Sequence, residues 1–567
     1  MIRPAQGRYL YEGRVGRRTH TFVNGGAGMT SGPSWLNSGD NAWQLIAATL
    51  VGIMSIPGLA ILYGGIVKRR WAVNSALMVV YAFAMTLVIW TLFAYNMAFG
   101  SPVGGGGSHF YNNLVGKPHP VLGAGDQLHQ AGIPLLNGLI PDLHFPGSTL
   151  VYFQFVFAAI TVIILAGAVL GRMSFKAWML FAPVWITGVY TVGAFMIWGG
   201  GWLSQLGALD YSGGYVIHVA AAASGFTAAA VIGPRLMRDR QNTTPNNLMM
   251  ALAGGGLLWL GWSGFNGGDP YFANADAAAA VLNTHVCTAV ALLTWMILDI
   301  VRTGKPNTAG MINGMIAGLV AITPGAGWIS GYSAMILGVV AGSVPWFTMN
   351  ILGNRGIFKR VDDTLGVIHT HGFPGAIGGL AVGVAATPNM IQYLGTKGNP
   401  DVSFTGWIHG NPHQFVVQAF TLLVIIVWNV VATFVILKVI GRITSLRMSK
   451  AELEGADEVV HGEYVIDVEG LTIPGEERVP VLAGVGADGD GRGGPIAAQL
   501  RVTLGDALGV HPDGLALLSG EQAAAALAKH AALEARLRSQ ESPSSGSIPG
   551  KPANRASRVR PSPEDAD

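Results

Sequence analysis

His218 and His371 occupy the same place in the same short pattern. Asp210 precedes His218 by eight residues and Gly225 follows it by seven; Asp363 precedes His371 by eight and Gly378 follows it by seven. Both copies of D-x7-H-x6-G lie in apolar surroundings, "LDYSGGYVIHVAAAASG" from Leu209 and "DDTLGVIHTHGFPGAIGG" from Asp362. Two imidazoles buried together share one proton at most, because charge is costly away from water. A neutral imidazole offers one donor and one acceptor. Such a pair suits a small neutral molecule that both donates and accepts, or a proton passed along a chain. It suits a metal less well, because no Asp, Glu or Cys pattern completes a coordination shell. It suits a bare alkali ion poorly, because no run of carbonyls replaces the ion's water. No cofactor, metal or enzymatic nucleophile–base pair is expected from the spacing.

The elements that position these residues are membrane helices. The chain has 567 residues, 50% of them hydrophobic and 11% charged, and its mean hydropathy is +0.43. A soluble domain carries about 25% charged residues. Apolar runs here repeatedly exceed the roughly 18 residues needed to cross a bilayer core. The 80 glycines suit close helix–helix packing. The single cysteine, Cys287, lies in an apolar run and reads as a core thiol. A net charge of +3 gives no reason to expect a nucleic-acid partner.

The sequence predicts eleven spans: 43–67, 71–99, 148–170, 177–200, 213–233, 246–266, 276–301, 307–323, 331–353, 364–386 and 414–441. Loops after the odd-numbered spans carry clustered basic residues, such as Lys68, Arg69 and Arg70, or Arg355, Lys359 and Arg360; the intervening loops carry Lys117 and Lys397. The positive-inside rule puts the first set in the cytoplasm, the N-terminus outside and the C-terminus inside. An odd number of spans per half then inverts the second half in the membrane, so the class is an all-α polytopic membrane protein with an inverted five-helix repeat. Asp210 and Asp363 start from opposite faces. Eight helical residues rise about 12 Å, which brings both histidines near the midplane of a core about 30 Å thick. A lone membrane histidine often does no more than bond a neighbouring helix, and His285 is read that way. Two histidines in matched contexts on inverted halves point instead to a transport site. His369, two residues from His371, is expected on roughly the opposite helix face, outside the same pore.

Residues 1–42 form an extracytoplasmic N-terminal segment. Its Arg3, Arg8, Arg14, Arg17 and Arg18 conflict with the orientation, so either the rule tolerates a basic flap or translation starts at Met29; the second reading is preferred. Residues 43–441 are the membrane domain and 442–465 a mixed-charge cytoplasmic segment. Residues 466–567 are rich in Gly, Pro, Ala and Ser and are expected to be a mostly disordered tail, with one exposed helix over 521–540.

"WGGGWLSQLGALDYSGGYVIH" (Trp198 to His218), "LWLGWSGFNGGDP" (Leu258 to Pro270) and "DDTLGVIHTHG" (Asp362 to Gly372) together resemble the ammonium transporter family, Amt/Mep/Rh, over about residues 30–464. "PSWLNSGDNAWQLIAATLVG" and "HTHG" further resemble the branch that includes the plant type-two transporters. The resemblance implies an eleven-span homotrimer in the plasma membrane, one pore per subunit, carrying ammonium, ammonia and methylammonium. By its motifs, Phe157, Trp198 and the residue at 269 form the outer mouth, Phe157 and Phe265 the stacked gate, and Trp262 the pore lining beneath. His218 and His371 are the twin histidines, and Asp210 is structural; Asp363 holds the matching place in the second half. Phe153 and Gln154 match the family's "FQ".

Two positions depart from the family pattern. Asp269 stands where Ser is common, and its carboxylate either draws cations to the mouth or caps the next helix. Gly366 and His369 replace a usual Asp and Gly in the tenth span. The segment "GRITSLRMSKAELEGADEVVHGEYV" (Gly441 to Val465) resembles the family's C-terminal region, which packs under the neighbouring subunit and couples the pores, with Leu446, Arg447, Gly455 and "HGE" at His461 to Glu463 matching. The resemblance also makes a cytoplasmic trimeric PII-type protein a plausible partner. The competing functions are a Rhesus-type neutral gas channel and an ammonium sensor whose transport is incidental. The intact Trp and paired Phe count against the first. The lack of a kinase, cyclase or receiver pattern in 465–567 counts against the second.

Overall fold

Backbone that leaves water must bond to itself, and long apolar stretches do so as helices. A computed structural model describes residues 32–107, 109–133, 142–241, 244–390, 405–463 and 465. Among these, ten helices are long and apolar enough to cross a membrane: α1 Ser38–Ile66, α2 Arg69–Phe99, α3 Gly147–Ala166, α4 Phe175–Gln205, α5 Gly214–Ile232, α6 Leu248–Gly267, α7 Ala275–Thr303, α8 Thr308–Gly325, α9 Gly331–Asn354 and α11 His413–Ile443. The span expected at 364–386 is shorter and in two parts. This element, α10, starts as a π-helical turn, Ile368–Gly372, and continues as the α-helix Phe373–Ala385. It begins later than 364 because Gly366 turns left-handed at φ 70°, a conformation that glycine adopts without steric cost. The expected N-terminal start at Met29, the tail 466–567 and its helix at 521–540 lie outside the described residues.

The helices α3, α5 and α8 are the most enclosed, while α2, α7, α9 and α11 leave much of their apolar surface exposed. The α7 helix packs along α8 and α9, α1 along α6, and α11 against α5 and α10. This is the arrangement of a multi-pass membrane protein, and the two halves of the chain repeat each other most clearly at α5 and α10.

Each of these two helices opens with a π turn, Gly214–Val219 in α5 and Ile368–Gly372 in α10. Each turn follows a left-handed glycine three residues after the aspartate, Gly213 at φ 111° and Gly366 at φ 70°. Each aspartate then accepts from the freed amides of the turn it precedes. Asp210 takes Gly213, Tyr215 and Val216 at 3.2, 2.9 and 3.0 Å, and Asp363 takes Ile368 at 2.8 Å. These bonds satisfy helix-start donors that would otherwise be orphaned in an apolar setting. The last residue of the pattern sets the packing. A Cβ on Gly225 would come 3.4 Å from the Leu165 carbonyl of α3, and one on Gly378 would collide with the Ala321 carbonyl of α8. The third helix of each half therefore receives the glycine of the fifth.

Beyond α11 the chain turns back along its own helix ends. Two short helices follow, α12 Lys450–Gly455, opened by a Ser449–Glu452 capping box, and α13 Asp457–His461. Met448 N donates to Arg172 O at 2.9 Å and Ser174 N to Leu446 O at 2.9 Å. Arg70 Nη2 donates to the Leu453 and Glu454 carbonyls at 2.5 and 2.8 Å. Asp457 accepts from the amides of Val73 and Asn74 at 2.8 and 2.9 Å, capping the start of α2.

Candidate functional site

A column of rings runs through the molecule from Trp198 to His371. Trp198 ends the main part of α4, and its indole Nε1 donates to the Asp210 carbonyl at 2.7 Å. One aspartate thereby ties the first ring of the column to the start of the helix that bears His218. Phe157, from α3, meets Trp198 edge-on at 6.3 Å and an 89° tilt. Phe157 and Phe265, from α6, have centroids 4.5 Å apart, which is ring-to-ring contact. Phe265 lies on His218 at 6.0 Å and on Trp262 at 4.8 Å; Trp262 lies on His218 at 5.4 Å. His218 in turn lies on His371 at 5.3 Å.

The two imidazoles meet through their Nδ1 atoms, 3.2 Å apart. A hydrogen bond needs one donor, so one ring carries its proton on Nδ1 and the other on Nε2. The two remaining Nε2 atoms are then one acceptor and one N–H donor. His218 Nε2 is buried with no hydrogen-bond partner among the described residues. His371 opens into a cavity of about 990 Å³, lined also by Trp262, His369, Asp362, Asp363 and Lys359.

His369 departs from its expected place. It lines the same cavity as His371. Ile368, His369, Thr370 and His371 of the π turn all border it. His285 fills the packing role expected of it: Trp259 Nε1 donates to its Nδ1 at 2.9 Å, and Ser263 Oγ lies 2.9 Å from its Nε2.

Asp269 is buried and bonds the Ser212 hydroxyl, which also lies 2.9 Å from the Phe265 carbonyl. It does not cap the next helix. Asn274 does, accepting from Asp276 and Ala277 at 3.0 and 3.2 Å. Phe153 packs on Phe157 at 4.8 Å, and Gln154 Nε2 donates to the Tyr271 hydroxyl at 3.0 Å.

Sequence reading missed several supports of this column. Thr323, at the end of α8, accepts from Trp262 Nε1 at 2.9 Å while donating to Leu319 O at 2.8 Å, which fixes the indole plane. Ser212 and Tyr271 were missed likewise. Nothing local marks these residues, because their partners are distant in the chain. At the cavity rim Arg235 Nη2 meets Asp362 at 2.8 Å, and its amide donates to the same carboxylate at 2.7 Å. Burial alone would raise the Asp362 carboxyl, but these contacts with Arg235 hold it down at about 2.

The sequence model of the ammonium transporter family matches residues 42–466. The chain belongs to that family. It is therefore a membrane transporter rather than an enzyme. The transporter is 49% identical over 439 residues to rice (Oryza sativa subsp. japonica) ammonium transporter 3 member 2, covering 76% of this chain and 90% of the relative. It is 49% identical over 436 residues to Arabidopsis thaliana ammonium transporter 2, covering 76% and 88%. Its fold matches the crystal structure of Saccharomyces cerevisiae Mep2 with a TM-score of 0.63 at 28% identity, over 74% of this chain and 89% of that one. The branch expected from the sequence, that of the plant type-two transporters, is among these relatives.

Proposed function

We propose that the ring column is the path of the substrate and that it carries ammonia derived from captured ammonium. The observation that carries this reading is the 3.2 Å contact between His218 Nδ1 and His371 Nδ1 at the end of an aromatic column. Moving an ammonium ion into an apolar lumen costs several kcal/mol or more; moving ammonia does not. Ammonium is held at the mouth by the faces of Trp198 and Phe157, which attract cations, and by the carboxylate of Asp269. It gives up one proton there, either to water at the outer face or to the path that the imidazoles offer, which the current measurement below separates. Ammonia passes the Phe157–Phe265 contact when a ring turns aside, then slides under Trp262 along the two imidazoles. The pair offers it one acceptor and one donor, matching its own N–H groups and lone pair. It takes up a proton in the cavity beyond His371. Potassium cannot shed a proton, so it stays out.

The basic loops support a cytoplasmic placement of the cavity end, with the N-terminus outside, in the plasma membrane. Asp210 and Asp363 act structurally, as the starts of α5 and α10. The family resemblance supports a homotrimer with one column per subunit and a cytoplasmic face on which a PII-type protein docks. The test is reconstitution of the full chain in liposomes, with methylammonium uptake and current recorded together. Uptake with current supports a carrier that also moves the proton along the imidazoles. Uptake without current supports a neutral channel. Absence of uptake supports a sensor and overturns the proposal.

A further inference from the structure

His369 is not needed for the path just described, yet its surroundings fix one of its nitrogens and free the other. Its Nδ1 lies 3.2 Å from Thr348 Oγ1, on α9. Thr348 has one hydroxyl proton, and it goes to the Pro345 carbonyl at 3.0 Å. Toward His369 the hydroxyl can therefore only accept, which places the imidazole proton on Nδ1. The lone pair is left on Nε2. That atom lies beside Gly353, where a Cβ would sit 3.4 Å away, and Gly353 lines the cavity with His369 and His371. The ring packs in a three-ring cluster, on Phe373 at 6.0 Å and 11° and on Phe358 at 5.5 Å, with the two phenylalanines 5.9 Å from each other. A rigid acceptor on the cavity wall, with aromatic rings packed beside it, is a site for a small N–H cation.

We propose that His369 Nε2, with Phe358 and Phe373, forms an exit site that holds ammonium after ammonia has been reprotonated in the cavity. The lone pair of ammonia takes a proton from hydronium in the cavity, leaving water and ammonium. The new cation then donates one N–H to His369 Nε2, while Nδ1–H stays on Thr348. The site is distinct from the twin pair, since His218 and His371 spend their Nδ1 atoms on each other. This inference rests on the proposed path.

The experiment measures the KM of labelled methylammonium, which keeps N–H donors, in right-side-out and inside-out vesicles from cells expressing the full chain. His369→Phe keeps a ring packed on Phe358 and Phe373 but removes the acceptor. A lost hydrogen bond to a cation is expected to raise KM about tenfold for substrate entering from the cavity side. From the Trp198 side KM should move less than about twofold. His369→Gln, which keeps an acceptor, should restore most of the loss. Gly353→Ala, which leaves His369 in place but puts a methyl against Nε2, should raise the same KM and serves if His369→Phe fails to reach the membrane. Equal shifts from both sides, or none from the cavity side in both His369→Phe and Gly353→Ala, overturn the exit site while leaving the path intact. If the parent chain takes up no methylammonium from either side, the path fails and the exit site with it.

Discussion

His218 Nδ1 and His371 Nδ1 are 3.2 Å apart although 153 residues separate them in the chain. Each stands eight residues after an aspartate that caps its helix, one from each half of the repeat. The contact is a consequence of the repeat: two helices built alike and packed against the equivalent helix of their own half meet at matching points.

His218→Ala or His371→Ala should therefore break the pair and expose the partner's Nδ1 in an apolar lumen. Uptake of methylammonium is expected to fall at least about tenfold, or selectivity against potassium to be lost, the scale of one hydrogen bond left unmade in a buried site. His371→Glu should be milder, since a carboxylic acid can still bond its neighbour. Uptake and potassium competition measured in each variant check this; parent-like values in either alanine variant would sink the role of the pair.

Asp269 bonds Ser212 and leaves the capping of α7 to Asn274. It is buried, and burial pushes its carboxyl well above the usual carboxylate range, so it acts as a charge only when a cation sits beside it. Asp269→Ser, which restores the residue common in the family, should raise the apparent KM for methylammonium roughly threefold at low ionic strength and less at high, as screening grows. Titrations at two salt concentrations read this directly. Equal KM values for variant and parent at both would remove Asp269 from the mouth.

Thr323→Val keeps the shape of the side chain but takes away the acceptor that Trp262 Nε1 uses at 2.9 Å. A buried indole N–H without a partner costs about 1–3 kcal/mol. The variant should unfold in detergent at lower temperature and transport less, because the indole plane over His218 is no longer fixed. Thr323→Ser should recover both. Thermal unfolding and uptake of the pair decide the matter.

Asp457 ties the segment after α11 to the start of α2. Burial raises its carboxyl to about 6, with the Asn74 and Val73 amides and Arg70 pulling the other way. The docked segment thus binds the proton more tightly than the free one, whose carboxyl titrates near about 4. Docking should be strongest below about pH 4, weaken as pH rises through the interval between about 4 and about 6, and stay at its weaker level above. Protease protection of 450–463 should be greater at pH 5 than at pH 8, and Asp457→Asn should flatten the difference. Protection that rises with pH would reverse the assignment. Truncation after Gly441, which removes the segment, should lower uptake at equal surface expression.

The spans were legible in the sequence because apolar length is a property of each stretch by itself. Asn37 and Asn274 capped helices near the expected starts of α1 and α7, and the late start of α10 came from a left-handed glycine whose conformation the span pattern does not record. The D-x7-H-x6-G repeat was legible for the same reason: caps, helix turns and a packing glycine act within one segment. What the sequence could not carry was pairing between segments. Thr323 with Trp262, Ser212 with Asp269 and Thr348 with His369 each join helices distant in the chain. Helical periodicity put His369 on the far side from His371, yet both border one cavity. The packing of the surrounding helices sets the shape of the cavity, and that shape takes in four successive residues of one turn. The sequence alone therefore determined the spans, the inverted repeat and the residue types brought to the middle. The tertiary structure decided which of their atoms meet, because hydrogen-bond direction and ring contact depend on distances of tenths of an ångström that only the packed whole sets.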